Sequence, residues 1–301
     1  MKIGSHDVEI KNRDKVFFPE EKITKGNLID YYEKIADSFI PFLKDRPLSL
    51  NRFPDGITEE GFYQKQVSDY FPDWIDTVEI EKKEGGTNSQ VVCNSKATLI
   101  YLVNQGTVSF HPWLCKTDNL HKPDKLVFDL DPPQGNFEIV VKGAKALRSL
   151  LEKELGLNAF LMTTGSKGLH VVCPIKPEKD FEDVRSFAKD VADYLADNNP
   201  DTFTTKTRKD QRKGRLFIDY LRNAYAQTSI PPYSVRAREG APVATPLGWN
   251  ELNKEGLHSQ SYTIKNIFKR LSQKDEPWSQ FNNKATKLKK STEKLNGLTT
   301  E

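Results

Sequence analysis

The sequence predicts an α+β fold, because two observations coincide. Over 126–220 strand and helix periodicities alternate in the order β-α-β-β-α-β, and the first strand of that series ends on two acids and two prolines. Lys125-Leu126-Val127-Phe128 reads as a buried strand, and alternate residues of a strand project to one side, so Asp129 and Asp131 share a face. Pro132 and Pro133 stop the strand directly after the pair and leave both carboxylates at its mouth. Two like charges held that close call for a cation.

The elements follow in order. A helix is predicted over about 137–155, with Ile139, Val140, Ala144, Leu147, Leu150 and Leu151 at helical spacing. Ala159-Phe160-Leu161-Met162 is a strand, Thr163 to Gly168 a turn, and Leu169 to Ile175 the returning strand. A second helix runs from Asp180, with Phe181, Val184, Phe187, Ala188, Val191, Ala192 and Leu195 inward, and Leu216-Phe217-Ile218-Asp219 closes the series. This is the split-βαβ pattern of ferredoxin-like and RNA-recognition-motif sheets. Its first strand is central, between the last and the third, and both helices cover one face. Asp219 is thereby brought beside Asp129 and Asp131, with His170 on the other neighbour. Three carboxylates suffice for two Mg²⁺ or Mn²⁺ ions about 4 Å apart, an arrangement that activates an attacking oxygen and stabilises departing pyrophosphate.

An N-terminal α/β module of about 1–122 is expected to pack with this catalytic module, about 123–280, as one compact unit, since no long linker precedes about residue 275. Lys25-Gly26-Asn27 opens a helix whose Leu28, Tyr31, Tyr32, Ile35 and Phe39 form a core stripe. Strands are expected around 48–53, 77–81, 89–93 and 107–111, and a helix near 95–104. The lysine-rich stretch 281–301 reads as a peripheral helix or a frayed basic tail.

With 301 residues and 37% hydrophobic content the chain can bury a sizeable core. It has no run long enough for a membrane span and no signal-peptide core at its start, so a cytoplasmic, nucleoid-associated protein without a membrane partner is expected. Cys93, Cys115 and Cys173 are scattered and form no CxxC, which argues against a disulfide framework or a zinc site. The net charge is only +3, yet 29% of residues are charged, so distribution matters. Lys206, Arg208, Lys209, Arg212, Lys213 and Arg215 form a basic run immediately before the last strand of the acid-bearing sheet, placed to face a nucleic-acid backbone. Gly165-Ser166-Lys167-Gly168 with Thr164 offers hydroxyls, an ammonium and free backbone N–H groups, equipment for cradling a polyphosphate. Arg222, Arg236 and Arg238 follow, and guanidinium groups grip phosphate oxygens bidentately.

Asp129-Leu130-Asp131-Pro132-Pro133, Thr164-Gly165-Ser166-Lys167-Gly168-Leu169-His170 and Ile218-Asp219-Tyr220-Leu221-Arg222-Asn223 resemble the three motifs of the archaeo-eukaryotic primase superfamily. The run Pro232-Tyr233-Ser234-Val235-Arg236-Ala237-Arg238-Glu239-Gly240, continuing to Leu247, is similar to the polymerase domain of bacterial DNA ligase D and its stand-alone relatives. The likeness covers about 8–275. It implies a primase-polymerase fold and a primer-extending repair polymerase of non-homologous end joining that favours ribonucleotides and Mn²⁺. Asp129, Asp131 and Asp219 would hold the metals; Asn104, His111, Thr164, Ser166, Lys167, His170, Arg222, Arg236 and Arg238 would hold the incoming NTP or dNTP. Taken by itself, His111 reads equally as a strand-end core histidine. Asn12, Lys15 and Lys25 match a pocket for a downstream 5′-phosphate, with Lys25 at a helix start adding the helix's positive end. Phe62 and Tyr63, flanked by Arg52 and Lys65, match a pair of rings on which the template base stacks.

Departures are modest. Thr164 stands for a commoner serine, Tyr63 for a second phenylalanine, and Asn51 precedes Arg52 where two basic residues are usual. No segment looks like a ligase or nuclease module, so a Ku-like protein and a separate ligase are the expected partners on 5′-phosphorylated DNA. Against this stand a de novo primase, which needs an initiating-nucleotide site, a metal-dependent nuclease, which needs no triphosphate-binding arginines, and a non-catalytic end-bridging module, in which idle carboxylates would repel DNA.

Overall fold

The computed structural model describes residues 1–82, 85–133 and 136–300, and Glu301, the last residue of the expected tail, lies outside them. The chain forms two compact units, one of Met1–Asp118, Thr228–Ala244 and Tyr262–Arg270, the other of Asn119–Gln227, Thr245–Ser261 and Leu271–Glu301. The first break falls close to the expected boundary at 122. The contiguous catalytic module over 123–280 needs correction, because 228–244 and 262–270 belong to the first unit.

The first unit opens with two short hairpins, β1 (Lys2–Ile3) with β2 (His6–Asp7) and β3 (Val16–Phe18) with β4 (Ile23–Thr24), followed by helix α1 (Lys25–Leu43). Thr24 caps α1 by accepting from the Asn27 N–H, while the Asn27 side chain accepts from the Thr24 N–H, so two orphan donors of the first turn are satisfied reciprocally. Strands β5 (Leu48–Arg52), β6 (Phe62–Gln64), β7 (Thr77–Glu81) and β8 (Thr87–Val91), helix α2 (Lys96–Asn104) and strand β9 (Thr107–Pro112) complete the contiguous part. β6, β5 and β9 make one antiparallel sheet, and β7 pairs with β8.

Residues 228–244 join this unit through buried hydrogen bonds. The Tyr31 hydroxyl donates to the Tyr233 carbonyl at 2.7 Å, the Tyr32 hydroxyl accepts from the Val235 N–H at 2.9 Å, and Ser234 Oγ accepts from the Phe110 N–H at 3.0 Å. The tyrosines expected as plain core therefore also fix the backbone that carries Arg236 and Arg238. Tyr233 sits at φ +69°, a left-handed conformation that is rare for a bulky residue and is held there by these bonds.

The second unit contains β10 (Lys125–Asp131), α3 (Phe137–Ser149), β11 (Phe160–Thr163), β12 (Leu169–Pro174), α4 (Phe181–Asp197), β13 (Phe203–Thr204), the single turn α5 (Lys209–Arg212), β14 (Leu216–Asp219) and β15 (Thr245–Leu247). The sheet order is β13-β14-β10-β12-β11-β15, so β10 lies between β14 and β12 as the split-βαβ pattern requires. The predicted helix over 137–155 is α-helical only to Ser149, then makes one π-turn at Leu150–Glu154, which keeps Leu150, Leu151 and Leu155 all buried. Further on come α6 (Ile267–Leu271), which begins in the first unit, and α7 (Leu288–Thr300). Of the two readings of the basic tail the structure shows the helix: Leu288, Ser291 and Leu295 are buried where α7 meets α4. Among the described residues no helix is long and apolar enough to cross a membrane.

Gly168 decides how closely β10 and β12 approach. A Cβ at this position would lie 1.9 Å from the Leu130 carbonyl oxygen, a backbone atom that cannot swing aside. Gly168→Ala is expected to break the β10–β12 register beside the acids and to lower the melting temperature by well over the shift of about 4 °C that about 1–2 kcal/mol produces in a chain of this size, as read by calorimetry.

Candidate active site and nucleic-acid interface

The register of the second sheet assembles the acid cluster. Asp129 on β10 lies opposite His170 on β12 and opposite Asp219 on β14, and directly opposed residues share a face. Asp131, two residues along β10, shares that face, opposite Phe217. Asp129 and Asp219 are buried and Asp131 half-buried. Burial raises the Asp131 carboxyl to about 6, with the charges of Asp129 and Asp219 adding to the effect, and burial likewise raises Asp219. Asp129 has two partners across the strands: His170 Nε2 lies 3.3 Å from its Oδ1 and the Arg222 guanidinium Nε 3.5 Å from its Oδ2. Asp219 Oδ1 accepts from the Leu221 N–H at 2.7 Å.

Among the described residues no three acidic, histidine or cysteine side chains already stand close enough to cage a metal. The donor set nonetheless fits hard divalent ions. It is all carboxylate oxygen, its members repel one another, and two are held above their ordinary protonation range, chiefly by burial and in part by one another's charge.

Asn223 was not picked out by sequence reasoning, and it holds the central strand. β14 ends at Asp219, and the chain turns through Leu221–Asn223. The fully buried Asn223 amide then accepts from the Val127 N–H at 2.8 Å and donates to the Val127 carbonyl at 2.7 Å, continuing the ladder along β10 after β14 has left it. Only its place one residue after Arg222 hinted at a role.

Thr164 serves the hairpin turn. Its hydroxyl accepts from the Ser166 and Gly168 N–H groups and donates to the Gly168 carbonyl, fixing the turn that carries Ser166 and Lys167. Ser166 is half-buried, and its carbonyl is clamped by Ser259 and Gln260. Lys167 is exposed and lines an open cleft of about 510 Å³ together with Asp131, Lys209, Arg212 and Arg215. The basic run divides by role. Arg215 donates to the carbonyls of Pro200, Gln211 and Arg212, and Arg212 donates to those of Lys206 and Thr207 while stacking 3.9 Å from the Phe217 ring centre, so these two build the loop as well as line the cleft. Lys206, Lys209 and Lys213 are exposed, and Arg208 is exposed beside Asp210.

In the first unit a cavity of about 250 Å³ is lined by Asn12, Lys15, Lys25, Arg52, Asn104 and Gly106, among others. The three residues expected to hold a 5′-phosphate are thus brought together. Lys25 is buried, its ammonium donates to the Lys11 carbonyl at 2.7 Å, and burial with the nearby Lys15 charge lowers its pKa to about 8. Lys15 pairs with Asp55. Asn104 also lines this cavity, and its amide donates to the Glu9 carbonyl and accepts from the Lys11 N–H, holding the segment that leads to Asn12.

Arg52 is turned toward protein groups. It is buried, and its contacts are internal: Nε and Nη2 donate to the Gln105 carbonyl at 2.9 and 2.6 Å, and Nη1 donates to Gln64 Oε1 at 2.6 Å and to the Tyr70 hydroxyl at 2.9 Å. Phe62 and Tyr63 are exposed on β6, as is Lys65 beyond it. Arg52 lies 5.3 Å from the Phe62 ring centre, and Tyr63 meets the buried His111 edge-on at 5.4 Å. Tyr70, 59% exposed, is a third open ring that the sequence did not mark. Arg236 and Arg238 sit in the first unit, half-buried and exposed, on the segment pinned by Tyr31 and Tyr32.

Residues 24–278 match the family model described as the LigD primase-polymerase domain. The chain is 33% identical over 277 residues to the bifunctional non-homologous end joining protein LigD of Bacillus subtilis, covering 91% of this chain and 44% of that protein. It is 32% identical over 278 residues to the multifunctional LigD of Pseudomonas aeruginosa, covering 91% and 33%. The chain therefore spans less than half the length of these relatives. The solved polymerase domain of Mycobacterium tuberculosis ligase D, in complex with DNA, superposes with a TM-score of 0.86 at 28% identity, covering 93% of this chain and 99% of that one.

Asn223→Ala is expected to leave the buried Val127 N–H and carbonyl without partners and to cost about 1–3 kcal/mol for each, read from urea unfolding. Lys25 gives a pH signature. An anion binds the charged ammonium, which is lost above its pKa of about 8, so affinity for a 5′-phosphorylated end should hold to that pH and fall beyond it. Lys25→Arg should flatten the fall in a binding titration between pH 7 and 9.5, roughly the span over which a lysine of that pKa loses its charge.

Proposed function

The chain belongs to the LigD primase-polymerase family, and from that premise we propose that it is a template-directed nucleotidyltransferase adding nucleotides, ribonucleotides by preference, to a 3′-OH at gaps and double-strand breaks in non-homologous end joining. The observation that carries the reading is the row His170, Asp129 and Asp219 across one sheet face, with Asp131 alongside and a lysine- and arginine-lined cleft at the strand end. Such a site suits a reaction between a polyanion and an oxygen nucleophile.

Asp129, Asp131 and Asp219 are the proposed ligands of Mn²⁺ or Mg²⁺, two ions that, when bound, supply positive charge to the attacking oxygen and the triphosphate. Bound cations would offset the burial that raises the Asp131 and Asp219 carboxyls. His170 and Arg222 orient Asp129 and are the groups that take up charge as the bond from the α-phosphorus to its bridging oxygen breaks and pyrophosphate leaves. Lys167 and Ser166 are assigned to the triphosphate, and His111, Arg236 and Arg238 to nucleotide binding on the strength of the family resemblance.

Asn12, Lys15 and Lys25 are assigned to a downstream 5′-phosphate, Phe62, Tyr63 and Lys65 to the template strand, and Lys206, Arg208, Lys209 and Lys213 to the DNA backbone. The first assignment is supported by a small cavity lined by Lys15 and by Lys25 at the start of α1. End joining by this activity calls on a Ku-like end-binding protein and a DNA ligase.

The test is primer extension on a gapped duplex with Mn²⁺, comparing NTPs with dNTPs and a 5′-phosphate with a 5′-hydroxyl at the downstream edge. Ribonucleotide addition stimulated by the phosphate is expected, and Asp129→Ala should abolish addition while leaving phosphate-dependent binding in place. Phosphate-dependent binding with no addition by the wild-type chain would make it an end-bridging module instead.

A further inference from the structure

The contacts of Arg52 tie together two parts of the first unit whose roles were assigned separately. One edge of its guanidinium, Nε and Nη2, is bonded to the Gln105 carbonyl, and Gln105 and Arg52 both line the cavity with Lys15 and Lys25. The opposite nitrogen, Nη1, holds Gln64 on β6 and the hydroxyl of Tyr70, and the flat of the group lies over Phe62. Gln64 passes the constraint on, donating at 2.8 Å both to the Gln66 carbonyl and to Ser68 Oγ. A guanidinium is planar and rigid, so one edge cannot shift without the other. Its four bonds here leave one of five N–H groups over, on the nitrogen at the cavity side.

We infer that Arg52 is a positioning residue that couples occupancy of the anion cavity to the setting of an aromatic platform, and that the platform includes Tyr70 as a third ring for unpaired bases. The inference rests on the proposed function. An anion in the cavity draws the guanidinium by charge, and the movement resets Phe62, Gln64 and Tyr70 together. The exposed Tyr70 ring is fixed through its own hydroxyl, so it presents a face without losing freedom when a base arrives. Because coupling between two sites is reciprocal, a base stacked on the platform raises affinity for the phosphate by the same factor as the phosphate raises stacking.

The experiment measures binding of the full chain to four gapped duplexes, with a 5′-phosphate or 5′-hydroxyl downstream and with a base or an abasic residue at the templating position. The coupling factor is the phosphate preference with the base present divided by that preference without it. For the wild type it is expected at about fivefold or more. Arg52→Lys keeps the charge but loses the fork and should bring the factor close to one, while Tyr70→Phe keeps the ring, removes one acceptor and should lower it partway. Melting curves establish that each variant is folded. If Arg52→Lys does not fold, Tyr70→Phe alone decides. A wild-type factor in a folded variant of either kind overturns the inference, as does a uniform loss across all four duplexes that leaves the factor unmoved. A wild-type chain with a phosphate preference but a factor of one overturns the coupling alone; a wild-type chain with no phosphate preference overturns the functional reading beneath it.

Discussion

Asp129 and Asp219 face each other across antiparallel strands with Asp131 alongside, and like charges so placed push apart the strands that carry them. Much of the second unit answers that repulsion. Asn223 continues the ladder where β14 ends, Gly168 lets β12 close in to its backbone limit, Arg222 supplies positive charge beside Asp129, and His170 Nε2 stands 3.3 Å from the same carboxylate. The apolar residues Phe128, Leu130 and Ile218, fully buried, hold the strands in register from within the same sheet. Charge that folding alone would not concentrate there is affordable because the scaffold around it is rigid and because a catalytic cation would neutralise it.

The first unit handles charge differently. Lys25 is set at the start of α1, where the capping box fixes the backbone, and is held in a partly dehydrated position by a carbonyl. A nearby anion would offset the burial that lowers its pKa. The aromatic side chains of β6 lie open, and the arginine beside them gives most of its donors to protein groups. Open rings and a lysine-lined cavity thus occur in the same unit.

How much of this was legible depended on the range of the interactions. The acid row could be read because period-two alternation and split-βαβ order fix neighbours without any side-chain detail, and the observed register agrees at Asp129, His170 and Asp219. Lys25 at a helix start was readable from Thr24 and Asn27. Arg236 and Arg238 were found as residues but given to the wrong module, since the bonds that place them join Tyr31 to Tyr233 and Tyr32 to Val235, over 202 and 203 residues of chain. The internal bonds of Arg52, Asn104 and Thr164 were hidden for a common reason. Each is a polar side chain whose partners are backbone groups, and a sequence shows the side chain while hiding which carbonyl or N–H it satisfies.

The interleaving of the two units bears on how the chain is made. Synthesis delivers Met1–Asp118 first, but the first unit is completed only by Thr228–Ala244 and Tyr262–Arg270, and the edge strand β15 of the second sheet likewise emerges after residue 244. The hydroxyls of Tyr31 and Tyr32 have no Tyr233 carbonyl or Val235 N–H to meet until most of the polypeptide has left the ribosome. That part of the first unit therefore waits for its closing bonds while roughly a hundred residues are added at about 5–20 per second, so its packing is completed several seconds after its first 118 residues are made.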